Sequence, residues 1–207
     1  MNRALTILAG VATTLTLSCW GPAANAAFFG LPRALKFQVE RITTESPTLA
    51  PMAHTRFCVQ YPQDCRVHGI AFRRPHPVAL TDERMQDLVA VNRDVNRSII
   101  PQASEGGVLA ERWRVSPKFG ECHDYAVTKR HELLDRHWPS RSLLLAEVVT
   151  SWGPHHLILV VRTLQGDLVL DNLNANIKPW SRTPYQWVRI QSPDNPILWS
   201  KVARSAA

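Results

Sequence analysis

The sequence predicts an α+β fold with helices packed on an antiparallel sheet, and three observations carry that prediction. Two segments with helical character come first, near residues 82–99 and 121–137. Apolar runs of strand length follow at 143–149, 156–161, 168–170 and 185–190. Helices followed by strands on short turns indicate segregated layers rather than alternating βαβ units. No repeat, low-complexity tract or interdomain linker interrupts this order.

The bulk properties agree with one domain. The chain has 207 residues, 45% of them hydrophobic and 20% charged, with 9 Gly and 15 Pro. These values exclude a disordered, collagen-like or coiled-coil protein. The net charge of +7 favours contact with anionic surfaces. No P-loop, dinucleotide fingerprint or RNA-binding aromatic motif appears, so no nucleic-acid partner is expected.

Residues 1–26 read as a signal peptide. Arg3 supplies a basic start, an apolar and hydroxylic run extends to Trp20, and Ala24-Asn25-Ala26 forms a small-x-small cleavage site. The run is short for a membrane span, and no second one approaches that length. The expectation is a mature domain of residues 27–207, periplasmic or secreted, with no stable membrane insertion. An oxidising compartment permits disulfides. Cys58 and Cys65 are the natural pair, in a stretch read as loop, against the alternative of two free thiols. Cys122 is then the odd thiol.

Along the chain, residues 27–56 read as irregular, with Pro32, Pro47 and Pro51. A basic loop with Arg73-Arg74 follows. Thr81 caps a helix whose first turn holds Asp82 and Glu83. Met85, Leu88, Val89, Val91, Val95 and Ile99 mark its apolar face. Residues 102–117 read as loop. The second helix lies between Gly120 and Pro139, with Cys122, Ala126 and Leu133 on one face and Lys129, Arg130 and Arg136 complementing its C-terminal half.

The chemistry converges on Cys122. At the start of a helix, backbone N–H groups and the dipole favour a thiolate and a developing oxyanion. A cysteine nucleophile also needs an imidazole, and a group that orients the imidazole. His156 begins one strand and Asp171 ends the next. A two-residue turn at Gln165-Gly166 sets Val160 opposite Asp171 and puts His156 on the same face. It also leaves His156 about 13 Å away along the strand. A bulge, or a turn nearer Thr163, has to close that gap. His155 competes with His156 for the role of base. Cys122 as an inert core thiol and Asp171 as a turn residue are the plainer alternatives.

Gly120-Glu121-Cys122-His123-Asp124-Tyr125-Ala126, with Lys129-Arg130, resembles the nucleophile motif of the bacterial transglutaminase-like cysteine peptidases. The His156–Arg162 strand and Gly166–Asn172 are similar to that family's histidine and aspartate segments. Trp113, Pro117, the Cys58/Cys65 pair, Trp180, Thr183, Tyr185 and the tail to Trp199 continue the likeness, over roughly residues 52–202. The resemblance implies a papain-like, transglutaminase-type fold, with Cys122 as nucleophile, His156 as base and Asp171 as orienter. It favours His156 over His155 because the family histidine directly precedes the apolar strand. No cofactor is implied for the chemistry. Some members bind calcium through acids flanking the cysteine and cleave a surface adhesin in the periplasm, so Glu121 and Asp124 are candidate calcium ligands. Here His123 stands where an acid is frequent, and Glu121 where Asp is usual.

The resulting expectation is an exported cysteine hydrolase acting on a protein or peptide amide, with a cell-envelope protein among candidate substrates. A transglutaminase using an amine acceptor, and a non-catalytic envelope-binding module on the same fold, are the alternatives. Zinc bound by His123, His131 and His137 is disfavoured, because their spacings of 8 and 6 do not stack adjacent pairs on a helix.

Overall fold

The computed structural model describes residues 39–66, 77–103 and 107–203. By its internal contacts the chain divides at residues 37 and 38, and every described residue belongs to the second unit. The signal-peptide reading and Arg73-Arg74 lie outside the described residues.

The first elements are β1 (Thr44–Thr48) and α1 (Met52–Gln60). Both fall largely where the sequence reads as irregular or loop. Prolines obscured them: Pro47 sits inside β1, which is tolerated because β1 is an edge strand, and Pro51 immediately precedes α1. A 3₁₀ turn, Pro62–Cys65, then brings Cys65 back to Cys58, and the two form a disulfide.

Next comes α2 (Asp82–Ser98), capped as expected by the Thr81 hydroxyl, which accepts from the Arg84 N–H at 3.3 Å. Leu88, Val91 and Val95 are fully buried, but Met85 and Val89 are exposed. The apolar stripe is therefore narrower than its spacing implied. The two-residue strand β2 (Ile100–Pro101) follows, then a short α3 (Gly107–Ala110) inside the segment read as loop. A second short strand, β3 (Phe119–Gly120), pairs parallel with β2. This pairing fixes the backbone just ahead of Cys122.

The helix α4 (Cys122–Asp135) is shorter than the predicted 121–137. It ends where His137 turns to φ 62°. The Trp138 N–H then bonds the Leu133 carbonyl, and the His137 N–H bonds that of Leu134, closing a Schellman motif. Almost every α4 side chain from His123 to Arg130 is buried. Lys129 and Arg130 are thus interior groups and not the surface complement to the dipole that their position predicted. Arg130 donates to the Leu143 carbonyl at 3.0 Å and to the Asp64 carbonyl, tying α4 to the sheet and to the disulfide turn.

The strands β4 (Leu143–Val149), β5 (His155–Thr163), β6 (Gly166–Leu170), β7 (Lys178–Pro179), β8 (Gln186–Gln191) and β9 (Trp199–Val202) complete the chain. With β1 they form one seven-stranded antiparallel sheet, in the order β1-β9-β8-β4-β5-β6-β7. Alternation sorts the side chains. Leu143, Leu145, Leu157, Leu159 and Val161 join the helices in one core. Leu144, Ala146, Ile158, Val160 and Ile190 form a second core on the other face, flanked by Trp180 and Trp187. Each buried aliphatic side chain contributes about 1.5–3 kcal/mol. The fold is the α+β arrangement expected. No helix among the described residues is long and apolar enough to cross a membrane.

Candidate active site

The site starts from a helix cap. Glu121 is extended and precedes α4, so Cys122 is the first helical residue. The Asp124 carboxylate reaches back to accept the Glu121 N–H at 3.1 Å. It also accepts the Arg114 N–H at 2.8 Å and the Arg114 guanidinium at 3.2 Å. Gly120 is dictated by this cap, because a Cβ there would fall 2.6 Å from Asp124 Oδ2. The Gly-Glu-Cys-His-Asp string is thus a device for starting a helix at the thiol.

The opposite side comes from β5 and β6. His156 is buried, and its Nε2 lies 2.8 Å from Asp171 Oδ1. Asp171 Oδ1 also accepts the Leu173 N–H at 3.0 Å, and Oδ2 accepts the Tyr185 hydroxyl at 2.5 Å. The register explains the reach. The turn residues are Leu164-Gln165, because Thr163 pairs with Gly166 and Leu159 with Leu170. This is the shift toward Thr163 that the spacing required. Carried one step beyond Leu170, it sets Asp171 beside Ile158 rather than Val160, two residues nearer His156. Gly166 supplies the φ of 123° at the turn.

His155 points elsewhere. Its ring is largely exposed, and Nδ1 lies 2.5 Å from Glu147 Oε1, while the other Glu147 oxygen accepts from Arg189. The adjacent histidines differ in their partners: His156 has Asp171, and His155 has Glu147.

The electrostatics favour an ion pair. Burial pushes the Cys122 thiol up, but the imidazoles of His123 and His156, the His156 charge and the Leu157 N–H outweigh it and bring the thiol down to about 6. Burial pushes His156 down, but Asp171 and Cys122 together raise it to about 9. Burial likewise raises Asp171, yet its bonds to His156, Tyr185 and Leu173 leave it below the usual carboxylate range. With Nε2 engaged by Asp171, the other ring nitrogen of His156 is the one left for the sulfur.

Cys122, His123, His155 and His156 line one cleft of about 410 Å³, together with Met52, Trp113, Glu121 and Arg189. A larger groove of about 1090 Å³ beside Trp180 and Trp187 holds neither Cys122 nor His156. The smaller cleft is the one with chemistry. Trp152, a candidate cleft residue from its position near His156, is exposed and is not among those lining it.

The family model for the bacterial transglutaminase-like cysteine proteinases (BTLCP) matches residues 44–207. The chain belongs to this family of cysteine peptidases. Among solved structures, calcium-bound LapG of Legionella pneumophila has a TM-score of 0.50 at 20% identity. That match covers 59% of this chain and 72% of that one. A second LapG structure gives 0.48 at 22% identity, covering 56% and 68%, and an EGTA-treated one gives 0.47 at 21%, covering 59% and 69%. The first likeness is one of fold and agrees with the transglutaminase-type architecture. No curated protein matches the sequence.

Several residues of this BTLCP site escaped sequence reasoning in their roles. Tyr185 was visible only as part of the family likeness, and nothing in its neighbourhood announced a bond to Asp171. His54 sits under the cleft wall, accepting from Trp199 Nε1 at 3.3 Å, with Gln191 Nε2 at 3.0 Å. Both of these partners lie more than 130 residues away, although Cys58 Sγ, four residues on, is also 3.5 Å from Nε2. The His54, Cys58 and Cys65 ligand atoms lie close together, but both cysteines are engaged in the disulfide.

Proposed function

We propose that the protein is an exported cysteine hydrolase that cleaves a protein or peptide amide bond through Cys122, His156 and Asp171. The observation that carries this reading is the 2.8 Å bond from His156 to Asp171, made by a histidine that shares the cleft with Cys122. Residues 1–26 and the Cys58–Cys65 disulfide support export to the periplasm or outside the cell.

The thiolate of Cys122 attacks the substrate carbonyl carbon. The backbone N–H groups at the amino end of α4 stabilise the oxyanion. His156, doubly protonated in the ion pair, gives its proton to the leaving amine, and an acyl-enzyme remains. Neutral His156 then takes a proton from water as it attacks the thioester, and the acid product leaves with the Cys122 thiolate and protonated His156 restored. Asp171 keeps the ring oriented and stabilises its charged form. The chemistry needs no cofactor. The cleft carries the Glu147–Arg189 pair and Glu121, so the peptide meets a charged wall at its mouth. A cell-envelope protein is the substrate class that follows from export.

A proteome-derived peptide library incubated with the wild-type protein and with Cys122→Ala tests this. Mass spectrometry should find new termini only with the wild type. Added hydroxylamine traps the acyl-enzyme as a hydroxamate and so reports the covalent intermediate, while acid termini without it report hydrolysis. An intact library with the wild type would leave the binding-module alternative standing.

A further inference from the structure

Some members of the family bind calcium beside the cysteine, and one solved neighbour is a calcium-bound LapG. In this chain we infer that the Arg114 grip on Asp124, with the His123 ring standing among the neighbouring carboxylates, organises the amino end of α4 in place of a divalent ion, so that Cys122 is assembled without calcium. The inference builds on the reading of Cys122 as nucleophile and concerns how that site is organised.

The donor set decides it. Calcium takes six to eight oxygen ligands. Of the two candidate ligands, Asp124 has both oxygens committed. Oδ1 accepts the Arg114 N–H at 2.8 Å, and Oδ2 accepts the Glu121 N–H at 3.1 Å and the Arg114 guanidinium at 3.2 Å. Asp124 is fully buried, and these bonds are the helix cap itself. An ion bound through Asp124 would have to share or displace the bonds that form the cap.

His123 fills the remaining space. Its side chain is only 6% exposed and stacks on Trp113 with ring centroids 6.1 Å apart and planes 17° from parallel. Nδ1 lies 3.5 Å from Glu111 Oε1, while Nε2 makes no hydrogen bond and has Asp124 Oδ1 at 3.6 Å and Glu121 Oε2 at 3.9 Å as nearby carboxylate oxygens. One imidazole therefore stands among three carboxylates, where an ion shared by them would have to sit. Glu111 Oε1 is also taken by Trp113 Nε1 at 2.6 Å. The position after the cysteine, where an acid is frequent in the family, thus offers a ring nitrogen instead of an oxygen.

Three readouts on the purified protein test this, each with excess calcium and with EGTA. They are the rate of iodoacetamide labelling at Cys122, the thermal midpoint, and terbium luminescence sensitised by Trp113. The expected result is a labelling rate constant to within about twofold, an unmoved midpoint, and no terbium emission above a Trp113→Phe control. His123→Gln, folded by circular dichroism, should label Cys122 about fivefold slower or more, and calcium should not restore the rate. Terbium emission displaced by calcium, or a midpoint or labelling rate raised by calcium in the wild type, overturns the inference. So does a His123→Gln rate equal to that of the wild type. Slow labelling under both conditions would overturn the peptidase reading, while terbium and melting still decide the calcium question.

Discussion

The Asp171 carboxylate divides its two oxygens between His156 Nε2 and the Tyr185 hydroxyl, with the Leu173 N–H as a third partner. An orienting carboxylate so saturated cannot turn away from the ring. The Tyr185 hydroxyl is pushed above its ordinary range by burial and by that carboxylate, so it stays a donor throughout the working pH range.

Tyr185→Phe removes one of these donors and keeps the ring that lies 5.8 Å from that of His156, tilted by 60°. Its cost in stability should be about 1–2 kcal/mol, measured by urea unfolding. Amide cleavage should fall, and Asp171→Asn should lower it further, because an amide no longer stabilises the imidazolium. Equal activity in Tyr185→Phe and the wild type would show that Asp171 needs no help from the hydroxyl.

Gly120→Ala tests the cap. The added methyl collides with a buried carboxylate rather than with a flexible chain end. Destabilisation of about 1–3 kcal/mol is expected. Cys122 labelling should slow as the first turn of α4 shifts. A variant as stable and as reactive as the wild type would contradict the matched Gly120–Asp124 contact.

His54 gives the protein an acid limit. Burial, assisted by the Arg130 charge, lowers it from 6.5 to about 4. The unfolded chain therefore binds a proton that the native state refuses between those values. Stability should fall as pH drops from about 6.5 to about 4, by about 3 kcal/mol for this group. Urea midpoints across that range check it. A flat profile would mean that His54 accepts its proton without loss of structure.

Lys129 is a buried cost. Its Nζ has no hydrogen-bond partner, and burial, opposed by Asp171, lowers it from 10.5 to about 7. The unfolded state holds this proton more tightly, so the penalty is present at pH 7 and fades as pH rises toward 10.5. Lys129→Met should stabilise the protein at pH 7 by about 2–4 kcal/mol, and the gain should shrink by pH 10. A destabilised Lys129→Met would show that the amine has a partner when the protein is in solution.

The sequence made the strands β4, β5, β6 and β8 legible because each is an apolar run bounded by turn residues. It showed α2 through Thr81, Asp82 and the buried spacing of Leu88, Val91 and Val95. It hid β1 and α1, where prolines at an edge and at a helix start mimic irregular chain. It also misplaced Lys129 and Arg130, since nothing local reveals that α4 is buried on nearly all sides. Of the candidate site, Cys122, His156 and Asp171 were readable from order and parity, but not from register: a one-residue displacement of the turn moves the pairing by two residues. Tyr185, His54 and the Arg114 grip on Asp124 depend on contacts across the fold. Composition and spacing carry no trace of them.

The central claim is a thiolate held at the start of α4 by a carboxylate-oriented imidazole. The rate of iodoacetamide alkylation at Cys122, followed from pH 4 to 10, tests it most directly. The account predicts a rise with an apparent pKa of about 6, displaced upward in His156→Ala. A single rise centred near the value of a free thiol, about 8.5, in both proteins would contradict it.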